Sequence, residues 1–107
     1  MNIFILPRAI ERMEEIYDYF LQFNELAAVR IYNGILDDIE KLERFPRMGA
    51  IEQGLTDCGK TFRSLVVMKN YKAIYYIEDN ENAIYIATVW DCRQNPDRLK
   101  MEVAFRR

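Results

Sequence analysis

The sequence predicts an α+β domain in the order β-α-α-β-β-β, with a helical hairpin packed on a mostly antiparallel sheet. Three observations carry that expectation. Two consecutive segments between Ala9 and Leu42 place apolar residues at helical spacing. Runs rich in β-branched and aromatic residues follow at 62–68, 71–77 and 83–91. Only short polar links separate those runs, and short links between consecutive strands imply antiparallel pairing.

The first element is "NIFIL", residues 2–6, short and apolar, which reads as a buried strand. Pro7 cannot continue a central strand but suits the first turn of a helix. Ala9, Ile10, Met13, Ile16, Tyr17, Phe20 and Phe23 then share one helical face, and this helix should end near Gln22. Asn24 suits an N-cap, because its side-chain oxygen can accept a bond from an N–H one turn on. Glu25 then meets the positive end of the helix dipole. The second face is Ala28, Ile31, Tyr32, Ile35, Ile39 and Leu42. This helix is expected to run about 30 Å, until Phe45-Pro46 stops it. Gly34 weakens it by up to about 1 kcal/mol relative to Ala, which a close helix–helix contact would explain. The short link at Phe23 makes the pair an antiparallel hairpin.

Residues 46–61 hold three of the four glycines and no clear period, and read as a loop. The three strands follow, joined by a tight Lys69-Asn70 turn and by the polar "EDNEN" turn at 78–82. Trp90 is expected to pack in the core against the hairpin or to touch a partner. The tail "DRLKMEVAFRR" is ambiguous, compatible with a helical turn followed by a short edge strand.

A length of 107 residues fits one domain over 1–107, large enough for a single core. No apolar run reaches the roughly 18 residues of a membrane span, and no signal sequence is recognisable at the start, so a cytoplasmic protein is expected. Cys58 and Cys92 are too few for a disulfide framework and read as reduced thiols. With no histidine, neither a metal site nor another cofactor is expected. Residues 8–44 carry five Lys/Arg against nine Asp/Glu, whereas residues 45–107 carry ten against eight. An anionic target would therefore meet the C-terminal part.

The ordered set "IYDYF", "LAAVRIYNGILDDIEKLERFPRMG", Arg63, "YKAIYYI" and "VWDCRQNP" resembles the RelE/ParE superfamily of toxins from type II toxin–antitoxin systems, the plasmid stabilisation proteins among them. The resemblance implies the same β-α-α-β-β-β fold and a small toxin neutralised by a cognate antitoxin, as a homodimer or a toxin–antitoxin hetero-oligomer. It also implies one of two mechanisms. RelE-like members cut messenger RNA in the ribosome, and ParE-like members inhibit DNA gyrase. Fold alone does not choose between them.

The residues favour the ParE-like reading. Cleavage of RNA through its 2′-hydroxyl needs a base, an acid and cations. Arg63 and Arg93 match two arginine positions of the family and can bind phosphate, but arginine does not act as an ordinary base. Lys60, Glu52, Asp57 or Asp91 would need a large pKa shift, and Asp91 stands where many relatives have histidine. Phe105 can stack on a base but has no hydroxyl to act as an acid. The target-binding candidates are Lys60, Arg63, Asp91, Arg93 and Gln94; Arg63 reads equally as a surface arginine on the open sheet face, and Arg93 and Gln94 as hydrogen-bond partners of the strand-ending carbonyls. Tyr71, Tyr75, Tyr76 and Tyr85 could stack RNA bases, although strand propensity and core packing also account for them. Tyr17, Tyr19 and Phe23 are the candidates for an antitoxin groove. The alternatives are a ribosome-dependent mRNA endoribonuclease and an inactive domain that only binds an antitoxin-like partner.

Overall fold

A computed structural model of the protein describes residues 1–104. It contains β1 (Asn2–Ile5), α1 (Pro7–Leu21), α2 (Glu25–Glu40), β2 (Ala50–Ile51), β3 (Arg63–Val67), β4 (Tyr71–Glu78), β5 (Ala83–Asp91) and α3 (Asp97–Ala104). The sheet order is β1-β5-β4-β3-β2. β1 runs parallel to β5, and every other pairing is antiparallel. The chain between β1 and β5 holds the helical hairpin and then β2, β3 and β4, which leaves ample length for the long crossover that a parallel pair needs.

The hairpin follows the expected rules. Pro7 opens α1, where a missing N–H costs nothing. The Asn24 side chain accepts the Ala27 N–H at 3.0 Å and starts α2. The inner face of the hairpin, with Ala9, Met13, Ile35, Ile39 and Leu42, buries against Val67, Ala73, Tyr75, Ile84, Ile86 and Val89. A second, smaller core occupies the other face of the sheet, where Leu55, Cys58, Phe62, Ile74, Ala87, Trp90, Leu99 and Val103 meet.

That second core corrects three expectations. Trp90 packs under α3 and the 52–62 segment, away from the hairpin, because the strand turns it to the opposite face. Residues 46–61 contain β2 and a 3-10 turn at Gln53–Leu55; a two-residue strand has too little alternation to announce itself. The tail, ambiguous in the sequence between a helical turn and a following edge strand, is helical over Asp97–Ala104, since Leu99 and Val103 lie four apart and bury together. Phe105 lies outside the described residues.

Two further details differ. α2 is 16 residues long, about 24 Å, and tightens into a 3-10 turn at Lys41–Glu43 before Pro46 is reached. Gly34 serves no helix–helix contact. A Cβ there would lie 2.2 Å from the Met68 Sδ, so the missing side chain admits the β3–β4 turn against α2. Asp38 Oδ2 accepts the Met68 N–H at 3.1 Å at the same junction. The turn therefore includes Met68, which together with Lys69 adopts the left-handed region (φ 46° and 72°).

Tyr75 fastens the long segment after α2 to the sheet. Its buried hydroxyl accepts the Gly49 N–H at 3.0 Å and donates to the Pro46 carbonyl at 2.8 Å. Removing the oxygen leaves two backbone groups without a partner. Tyr75→Phe is expected to lower the unfolding free energy by about 1–3 kcal/mol in urea denaturation; an unchanged midpoint would show that the hydroxyl fastens nothing.

Candidate functional site

β5 ends at Asp91, directly opposite Tyr71 of β4. The next residues turn on the Asp91 carboxylate. Its Oδ1 accepts the Arg93 backbone N–H at 2.9 Å, an Asx-type turn that ends the strand. The Arg93 guanidinium reaches back to both oxygens, Nε to Oδ1 and Nη2 to Oδ2, each at 2.9 Å. The Gln94 N–H donates to the Asp91 carbonyl at 3.0 Å, and Cys92 N–H to Asn70 O at 3.0 Å. Arg93 also lies 6.0 Å from the centre of the Tyr71 ring. Asn95 Oδ1 accepts the Asp97 N–H at 3.0 Å, at the entrance to α3.

This turn forms one wall of an open cavity of about 810 Å³ between α1, α3 and the end of β5. Asp91, Arg93 and Gln94 line it together with Tyr19, Tyr71, Arg98 and Met101. Its floor is a buried carboxylate. Glu102 of α3, only 7% exposed, accepts from Arg12 Nε at 2.8 Å and Nη2 at 2.7 Å, Arg8 Nη1 at 3.1 Å and Thr88 Oγ1 at 2.7 Å. A register shift between Ile74 and Tyr75 leaves Ala87 without a partner beside Thr88, so this stretch of β5 departs from strict alternation. The bulge thereby accompanies the one buried hydroxyl of the strand.

The shifted groups at this end all move away from neutrality. The hydrogen bond from Arg93 holds the Asp91 carboxyl below its ordinary range, and Asp91 in turn raises Arg93. Burial pushes the Tyr71 phenol and the Cys92 thiol up. Burial alone would raise Glu102, but the hydrogen bonds from Arg12 and Thr88 and the charges of Arg12 and Arg8 outweigh it and bring it to about 2.

The other target-binding candidates lie elsewhere. Arg63 Nη1 donates to the carbonyls of Gly49 at 2.8 Å and Arg47 at 3.3 Å, so its guanidinium clamps the segment before β2. Lys60 Nζ pairs with Glu78 at 2.5 Å, and sits 5.2 Å from the centre of the Tyr76 ring. The antitoxin-groove candidates also divide. Tyr17 packs edge-on to Tyr32 in the seam of the hairpin, whereas Tyr19 and Phe23 are 55% and 71% exposed near its tip, their rings 5.4 Å apart. Arg8, Arg12, Thr88 and Glu102 escaped sequence reasoning. Two weak signals marked them: a threonine in the run "AIYIATVW", and a glutamate beside Val103 at the buried spacing of the tail.

Among the described residues no group of three or more His, Cys, Asp and Glu could hold a metal ion. No helix among them is long and apolar enough to cross a membrane.

The fold defines the class. It is shared with a chain of the chromosomal ParDE TA system from P. aeruginosa, at a TM-score of 0.70 and 16% identity over 85% of this chain and 95% of that one. The model of the ParE toxin of the type II toxin–antitoxin system, parDE, matches residues 3–96, and the chain belongs to that family. Among curated protein sequences none matches. The family match ends at Pro96, so α3 and Glu102 lie beyond it.

The Glu102 carboxylate gives a stability window with a definite sign. Its pKa lies near 2 in the fold against an ordinary 4.5. Its contribution is therefore complete above about pH 4.5 and is lost as the pH falls toward 2, amounting to about 3 kcal/mol. Glu102→Gln is expected to destabilise the protein at pH 7 by that order and to flatten the stability–pH curve between those values. An acid limb as steep as that of the parent would contradict the assignment.

Proposed function

We propose that the chain is the toxin of a type II toxin–antitoxin pair that acts by binding a protein target, such as DNA gyrase, in the cytoplasm. The observation that carries the reading is the electrostatics of the cavity. RNA cleavage needs groups that exchange protons near neutrality. Here Asp91 and Glu102 are held low by arginines, while the Tyr71 phenol and the Cys92 thiol are pushed up. The arginines are also largely committed: Arg93 to Asp91, Arg8 to Glu102, and Arg12 to Glu102 and Glu15. A phosphate-gripping surface keeps its cations available, whereas paired charges around apolar and aromatic side chains suit a protein partner.

On this reading Asp91 orients Arg93, and Arg93 with Gln94 forms the rim that meets the target. Lys60 and Arg63, placed elsewhere, contribute to that contact less directly. The antitoxin covers the exposed tip of the hairpin at Tyr19 and Phe23, with 65%-exposed Leu26 beside them, an apolar surface fit for a helix or an extended segment.

Purified chain is expected to inhibit supercoiling by purified DNA gyrase. Arg93→Ala should weaken that inhibition about tenfold or more, as loss of an anchoring arginine does at other interfaces. Lys60→Ala should leave it within about twofold. Equal inhibition by the parent and Arg93→Ala would remove the rim from the site. No inhibition by the folded parent chain would exclude gyrase as the target.

A further inference from the structure

The sheet face opposite the hairpin carries a row of rings that the toxin reading does not use. Phe4 pairs with Tyr85 across β1 and β5, and Tyr85 pairs with Tyr76 across β5 and β4. Phe62, just before β3, continues the row. The three successive ring-centre distances are 5.4, 5.3 and 5.6 Å; the first two contacts are stacked and the third is edge-on. Phe62 is buried, Tyr76 and Tyr85 are half-buried, and Phe4 is 48% exposed at the free edge of the sheet. The core beneath α3 covers the other end of this face, through Leu99 and Val103.

The row already holds one cation. The Lys60 ammonium lies 5.2 Å from the centre of the Tyr76 ring and is paired with Glu78 at 2.5 Å. A ring with a carboxylate beside it is the chemistry that recognises a positive side chain. The same unit recurs one strand over. Glu81 accepts the Tyr85 hydroxyl, Tyr85 stacks on Phe4, and no Lys or Arg among the described residues pairs with Glu81.

We propose that Tyr85, Phe4 and Glu81 form a cation subsite, and that the ring row binds a basic polypeptide segment through an arginine side chain. Charge complementarity selects this occupant. Lys60 offsets the charge of Glu78, but Glu81, with no Lys or Arg paired to it among the described residues, stands at the rings and would repel the phosphates of RNA, the other natural partner of an aromatic sheet. Tyr85 lies between Phe4 and Tyr76, so the open ring face of the row is that of Phe4 at the sheet edge; a guanidinium stacks on such a face and takes a carboxylate at its edge, so arginine is favoured over lysine. The surface lies on strands away from the Arg93 rim, so occupation of one leaves the other open.

The test uses the whole chain, labelled with ¹⁵N, titrated with the peptide acetyl-(Arg-Ala)₄-amide. Amide shifts are expected at Phe4, Tyr76, Glu78, Glu81 and Tyr85. Acetyl-(Lys-Ala)₄-amide should bind several-fold more weakly, and acetyl-(Glu-Ala)₄-amide and an eight-nucleotide oligouridylate should leave those amides in place. Tyr85→Leu keeps an apolar strand residue and removes the ring; with Glu81→Gln it should weaken the arginine peptide at least fivefold. Tyr85→Phe, which keeps the ring and frees Glu81, should bind at least as well as the parent. Shifts spread over the acidic helices and unchanged in Tyr85→Leu would reduce the effect to general charge attraction and overturn the proposal. Binding of the oligouridylate at the row, or no response to the arginine peptide there, would overturn it equally.

Discussion

A carboxylate with almost no access to water has to be surrounded by donors, and Glu102 organises the C-terminal half of this molecule through that demand. It ties its own helix α3 to two other elements through Arg8 and Arg12 of α1 and Thr88 of β5. The two arginines are about one-third exposed, so the cluster is a half-open ion pair rather than a dry one. That position is favourable, because the cations keep part of their hydration while the carboxylate gains several charge-assisted bonds. The contact joins residues some ninety positions apart. It fixes where α3 lies, and α3 then covers Trp90 through Leu99 and Val103.

The same contact gives the candidate site its character. With Glu102 as the floor and Asp91 at the rim, each carboxylate of the cavity holds a neighbouring arginine. Strong pairing shifts both members away from pH 7, which suits recognition and is unhelpful for proton transfer. The Asp91–Arg93 pair is largely exposed on the arginine side, so it adds little to stability. Its effect is to hold the guanidinium beside Tyr71 at the mouth of the cavity, which reduces the ordering cost of a later contact.

Much of the fold was legible because its elements carry strong periodicity. The two helix faces, the Asn24 cap and the three long strands each match a simple pattern in the chain. What escaped depends on distant partners. β2 has two residues, and its pairing with β3 is secured by Tyr75, Arg63 and the carbonyls of the preceding segment, none of which marks the strand itself. Trp90 gives no sign of which face it takes, because the departure from alternation at Ala87 lies within a run of strand-forming residues with no polar/apolar alternation of its own. Gly34 was read as a helix–helix contact, whereas its neighbour is the Met68 side chain of a turn more than thirty residues on. The site was legible only in part. "VWDCRQNP" points to Asp91, Arg93 and Gln94 because polar residues close a strand, but nothing local announces that Arg8, Arg12 and Glu102 lie under them. Lys60 and Arg63 were grouped with that rim by residue type, and the topology puts them against other partners.

The central claim is that this toxin fold acts by recognition and not by cutting RNA. Mapping transcript 5′ ends after brief induction in growing cells tests it most directly. The account predicts growth arrest with no new ends tied to codon position in translated messages. Cuts at fixed codon positions that disappear when translation is blocked would contradict it.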